Sequence, residues 1–149
     1  MSDKKNNIKN CFREGAITPD FIANSIAKHQ SKTGIGAHEI FLGQVRADEI
    51  NENIVNAIEY SAHEKIANTV FHEIRETAFD KFDLSCMHIY HSLGKVKAGE
   101  ICLFVFASSK HRKPVRHAIE FLVEEIKVKV PIFGKEIFND KSHQWKVNQ

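Results

Sequence analysis

Ser108–Glu136 reads SSKHRKPVRHAIEFLVEEIKVKVPIFGKE, and the parsing of this stretch decides the fold. Val115, Ala118, Ile119, Leu122 and Ile126 recur at helical spacing and make one apolar stripe, which predicts an amphipathic helix from about Pro114 to Val128. At about 100° per residue, Arg112, Arg116, Val123 and Lys127 fall along one edge of that stripe. A basic edge beside a buried face suits the binding and polarising of a small anion. Upstream, Glu100–Ala107 (EICLFVFA) is nearly all apolar, as a central strand covered on both faces would be. Downstream, Pro131–Phe138 reads as a short strand.

Working outward, Ala37–Val45 reads as a strand followed at once by Arg46. Ile54–Tyr60 alternates, with Ile54, Asn56, Ile58 and Tyr60 on one face and Val55, Ala57 and Glu59 on the other. Leu84–Tyr90 is a further strand, expected to close in a turn around Gly94. His63–Phe82 carries Ile66, Val70, Ile74 and Phe79 near helical spacing, so a second long helix is expected there. Thr18-Pro19-Asp20 has the chemistry of a helix start: a hydroxyl cap, a proline in the first turn and an acid at the positive dipole end. That helix should run to about Gln30. Residues 1–10 are polar and expected to be disordered. The order predicts an α+β fold in a single domain, 1–149, with two long helices and an N-terminal helix on a mixed sheet.

The 149 residues are enough for a substantial core, and the formal charge of +2 gives no case for a nucleic-acid partner or an acidic membrane surface. Cys11, Cys86 and Cys102 lack CxxC spacing and fit a reduced compartment, so a cytoplasmic protein is expected. No apolar run reaches the roughly 20 residues of a membrane span, and no signal peptide is visible. His88-x-x-His91 is the most suggestive histidine pair. Its members point to opposite faces of a strand, and no acid or cysteine stands at ligand spacing, so no metal or other cofactor is expected.

His111-Arg112 lies where the apolar strand meets the helix start. Backbone N–H groups there favour anions, and the two side chains add to that; the competing reading is a solvated basic turn. Lys127 and Lys129 suit a helix C-terminus, but Lys127 also shares an apolar edge. A lysine amine held against apolar surface can act as acid, base or nucleophile. Fifteen residues separate Arg112 from Lys127, so at about 1.5 Å per residue they stand roughly 22 Å apart. A small molecule touching both needs a second copy of the chain, which predicts a homodimer with shared sites.

From about Ile17 to Trp145 the chain resembles the large, catalytic subunits of molybdopterin synthase. The resemblance is carried by Gly36-Ala37 and Phe41-Leu42-Gly43-Gln44-Val45-Arg46, then Ile58-Glu59-Tyr60. His91-x-x-Gly94, Gly99-Glu100 and Ser109-x-His111-Arg112 follow, and finally Lys127-x-x-x-Pro131-Ile132-Phe133 with Lys135-Glu136. The resemblance implies an α/β-hammerhead type of fold and a homodimer within a heterotetramer. It implies a small ubiquitin-like partner subunit ending in a thiocarboxylate, whose sulfur passes to cyclic pyranopterin monophosphate in molybdenum cofactor biosynthesis, a sulfurtransferase reaction. It implies substrate-binding roles for Phe41, Arg46, His111 and Arg112, and a catalytic role for Lys127. Gly134 stands where the family has a second catalytic lysine; Lys135, re-aimed by a glycine bulge, or Lys129 takes that role. Ser92 stands where the family commonly has arginine.

Overall fold

The computed structural model describes residues 8–147, so most of the segment expected to be disordered lies outside the described residues. The strands are β1 (Phe12–Glu14), β2 (Ala37–Gln44), β3 (Glu49–Ile50), β4 (Asn53–Ala62), β5 (Cys86–Lys97), β6 (Ile101–Ser109), β7 (Ile132–Phe138) and β8 (His143–Trp145). The helices are α1 (Pro19–His29), α2 (Glu64–Lys81) and α3 (Arg112–Lys129). The sheet runs β2-β6-β5-β4-β7-β8, with β1 added to β5 and β3 to β4. β1 is parallel to β5 and the other pairings are antiparallel. The architecture is the mixed α+β arrangement that the sequence predicts.

β6 lies between β2 and β5, and Cys102–Ser109 are buried throughout, as its unbroken apolar run requires. The two faces of β6 divide the core. Leu103, Val105 and Ala107 pack with α2 and α3, including Val115, Ile119, Leu122 and Ile126 of the predicted stripe, whose remaining residue, Ala118, is also buried. Phe104 and Phe106 face the other way and meet Phe21, Ile22 and Ile26 of α1. Thr18 caps α1 as expected, its hydroxyl accepting from the Phe21 N–H at 3.2 Å.

Three expectations change. β5 does not turn at Gly94 but continues to Lys97, and the turn follows at Gly99. Cys86–His91 pair with β6, whereas Gly94–Lys97 pair with β4, so the strand exchanges partners midway. Gly94 sits at the exchange with φ +79°, a conformation that glycine adopts without steric penalty. In β4, a bulge between Val55 and Ala57 resets the alternation, so Val55 joins Ile58 and Tyr60 on one side. In α2, the buried face is Ala67, Phe71, Ile74 and Ala78, while Ile66 and Phe79 are exposed. The small Ala67 and Ala78 pack into the core that α2 shares with α3, a packing preference that apolar size alone does not reveal.

Candidate active site

The C-terminal end of α3 overhangs the region where β4, β7 and β8 meet, and cavities open on its flank. One, of about 340 Å³, is lined by His91, Lys127, Val130, Phe133 and Gly134 among others. A larger one, of about 750 Å³, is lined by Phe41, Arg46, Val123, Lys127 and Glu136 among others. Lys127, Tyr60, Trp145 and Lys146 line both. Lys127 thus stands at a junction, with an apolar wall from Phe41 and Val123 on one side and a buried histidine on the other. Its place follows from the helix period: Val123 and Lys127 are one turn apart on the edge beside the stripe.

His91 is buried, and its Nδ1 lies 2.8 Å from the Ser92 carbonyl. A carbonyl only accepts, so the ring hydrogen is on Nδ1 and Nε2 keeps a lone pair. Burial pushes the His91 pKa down to about 4, the Ser92 bond opposes this, and the Lys127 charge adds to the lowering. The ring is therefore a neutral acceptor at ordinary pH. Tyr60 packs edge-on against it, with centroids 5.0 Å apart. Burial, followed by the neighbouring Cys102, raises the Tyr60 hydroxyl well above its ordinary value, so it remains a protonated donor. Arg46 is exposed and paired with Asp48 at 3.3 Å. Glu136 is buried and accepts from Gln144 Nε2 at 3.1 Å.

One chain therefore brings together Phe41, Arg46 and Lys127. It does not bring in His111 and Arg112, which begin α3 at its opposite end. His111 is the N-cap residue without a side-chain cap bond, and the first turn of α3 contains no acid, so that end keeps its affinity for anions.

The bulge expected at Gly134 is absent. Pairing with β4 is unbroken from Ile58↔Glu136 through Tyr60↔Gly134 to Ala62↔Ile132. Adjacent strand residues face opposite ways, so Lys135 turns from the Lys127 junction to a third cavity, where its Nζ pairs with Glu59 at 3.1 Å. Lys129 pairs with Glu125 at 2.7 Å, one helical turn away. A Cβ at Gly134 would stand 3.0 Å from Ile58 Cγ2, so a side chain at 134 would require Ile58 to give by a few tenths of an ångström. Ser92 is fully buried and its hydroxyl has no hydrogen-bond partner among the described residues.

Sequence reasoning missed His91 and Lys146 as site residues. His91 was visible only as part of a motif. Lys146 is carried in by β8, its N–H donating to the Gly134 carbonyl at 2.7 Å, and nothing in its local sequence announces that position.

An α+β sheet with Lys127, Lys146 and the buried neutral His91 around two adjoining cavities makes a site that can hold and polarise an anionic group. The chain belongs to the MoaE family, whose model matches residues 17–129. A molybdopterin synthase catalytic subunit from Pyrococcus abyssi is 31% identical over 115 residues, covering 77% of this chain and 76% of that protein. One from Dictyostelium discoideum is 35% identical over 116 residues, covering 76% and 73%. The chain spans 64% of the Aspergillus fumigatus relative, which is 34% identical over 122 residues, 82% of this chain. A solved molybdopterin synthase from Staphylococcus aureus superposes with a TM-score of 0.77 at 25% identity, covering 91% of this chain and 95% of that one. No helix among the described residues is long and apolar enough to cross a membrane.

Proposed function

We propose that this chain is the catalytic subunit of molybdopterin synthase, a sulfurtransferase that moves sulfur from the C-terminal thiocarboxylate of a small ubiquitin-like subunit to cyclic pyranopterin monophosphate. The observation that carries this reading is Lys127 at the junction of the two cavities. The apolar wall of Phe41 and Val123 suits an extended glycine tail. Lys127 then engages the thiocarboxylate carbonyl and assists proton transfer as sulfur attacks. Arg46 grips the substrate phosphate by a charge-assisted bond. His111 and Arg112 of a second copy complete the anion site, which makes the working species a homodimer with two small subunits.

The second amine of the reaction is assigned to Lys146, which lines both cavities with Lys127 and is tied by its backbone to Gly134. Lys135 is held by Glu59 on the other side of β7.

The test is a single-turnover assay with a thiocarboxylated small subunit and cyclic pyranopterin monophosphate, followed by dithiolene formation. Product is expected from the unaltered chain, none from Lys127→Ala, a reduced rate from Lys146→Ala and a near-normal rate from Lys135→Ala. Near-normal turnover by Lys127→Ala with saturating partner overturns the assignment. Gly134 favours one other reading, a family member that binds the small subunit without turnover; tight binding with no product from the unaltered chain would establish it.

A further inference from the structure

On the face of the sheet opposite α3, three potential ligands converge from places far apart in sequence. Cys86 and His88 are two residues apart on β5 and so share a face. That face is covered by α1, whose last turn brings in the buried His29. The donor atoms of His29, Cys86 and His88 all lie within 4.8 Å of one another.

The two imidazoles are already oriented. His29 Nδ1 lies 2.7 Å from the Ser25 carbonyl one turn back, so its hydrogen is on Nδ1 and its Nε2 is a bare acceptor. That Nε2 meets His88 Nε2 at 2.8 Å, an N–H···N bond in which His88 donates. A backbone carbonyl fixing the remote nitrogen of a histidine is the usual outer support of a metal ligand. Phe106 packs against both rings, with centroids 4.8 Å from His29 and 6.3 Å from His88. His29 and Cys86 are buried and His88 is half-buried, so the cluster is sheltered yet reachable from solvent.

We propose that His29, Cys86 and His88 form a zinc site with three protein ligands and a fourth position for water or a small exogenous ligand. One thiolate with two imidazoles is a donor set that zinc prefers over magnesium or calcium, which take oxygen ligands. Binding is balanced in protons. The Cys86 thiol releases one to solvent as the Zn–S bond forms, and His88 moves its hydrogen from Nε2 to Nδ1 to free the lone pair. The two Nε2 atoms then part to about 3.3 Å, as Zn–N bonds of about 2.0–2.1 Å at a tetrahedral angle require. A slight rotation of the half-buried His88 supplies that movement. The bound ion would tie the end of α1 to the start of β5.

The probe is Co²⁺, followed by Zn²⁺, titrated into the full chain after treatment with a chelator. One equivalent of Co²⁺ is expected to give a thiolate-to-cobalt charge-transfer band and the visible bands of a four-coordinate ion. Zn²⁺ should displace it and raise the melting temperature. Cys86→Ser, near-isosteric and checked for folding by circular dichroism, should lose the charge-transfer band. His88→Gln should keep a band but bind roughly tenfold or more weakly, since even supporting groups around a metal are worth 10–100-fold. The proposal is overturned if folded protein gives no charge-transfer band with excess Co²⁺, or if the band survives in Cys86→Ser.

Discussion

At the scale of single residues, His91 is where burial and chemistry meet. Its folded pKa is about 4 against an ordinary 6.5, so between these values the unfolded chain holds a proton that the folded chain does not. The unfolded state therefore binds more protons in that window, and stability rises with pH there. Conversely, the protein loses stability as pH falls from about 6.5 towards about 4. His91→Asn, which cannot take up that proton, should show a shallower fall in melting temperature on acidification than the unaltered chain. Equal slopes would mean that His91 is not the group being titrated. Lys127 belongs to the same scale. Its position on the helix edge was legible from the period of α3, and the junction it occupies is made by Tyr60 of β4, Trp145 of β8 and Lys146 just after β8. No spacing along the chain contains that information.

At the scale of elements, α3 behaves as its pattern dictates. Val115, Ala118, Ile119, Leu122 and Ile126 are its buried residues, and the pattern selects all of them. Leu122 is fully buried, so Leu122→Ala should cost about 2–5 kcal/mol in chemical denaturation, the range for deleting a buried leucine side chain. β5 is the counter-example. Gly94 is a common sign of a turn, yet here the positive φ lets one strand leave β6 and join β4 without ending. Gly94→Ala should destabilise by about 1–2 kcal/mol, the penalty of a side chain in left-handed backbone, and Glu14 would also have to move because its Oε1 lies 2.5 Å from the new Cβ. An unchanged denaturation midpoint would show that the segment relaxes into ordinary strand geometry.

At the scale of the whole molecule, α3 carries His111 and Arg112 at one end and Lys127 at the other. If sites are shared between copies as proposed, a chain lacking Lys127 still supplies His111 and Arg112, and a chain lacking those still supplies Lys127. Mixing Lys127→Ala with a His111→Ala, Arg112→Ala double variant should restore about a quarter of the unaltered rate. Half of randomly paired two-fold dimers are mixed, and each has one of its two sites intact. No recovery after verified subunit exchange would place all the residues' roles within one chain.

The sequence by itself determined the α+β class, the three helices, the central burial of β6 and the buried stripe of α3, because each is written in a local period of apolar residues. It also named Phe41, Arg46 and Lys127, whose convergence on one cavity the structure shows. Only the tertiary structure decided that Lys135 faces Glu59 rather than Lys127, since that depends on the unbroken pairing of β7 with β4. Only it decided that Lys146 and His91 stand beside Lys127, and that His29 meets Cys86 and His88. These juxtapositions arise from strand register and helix docking, which residue-to-residue spacing does not encode.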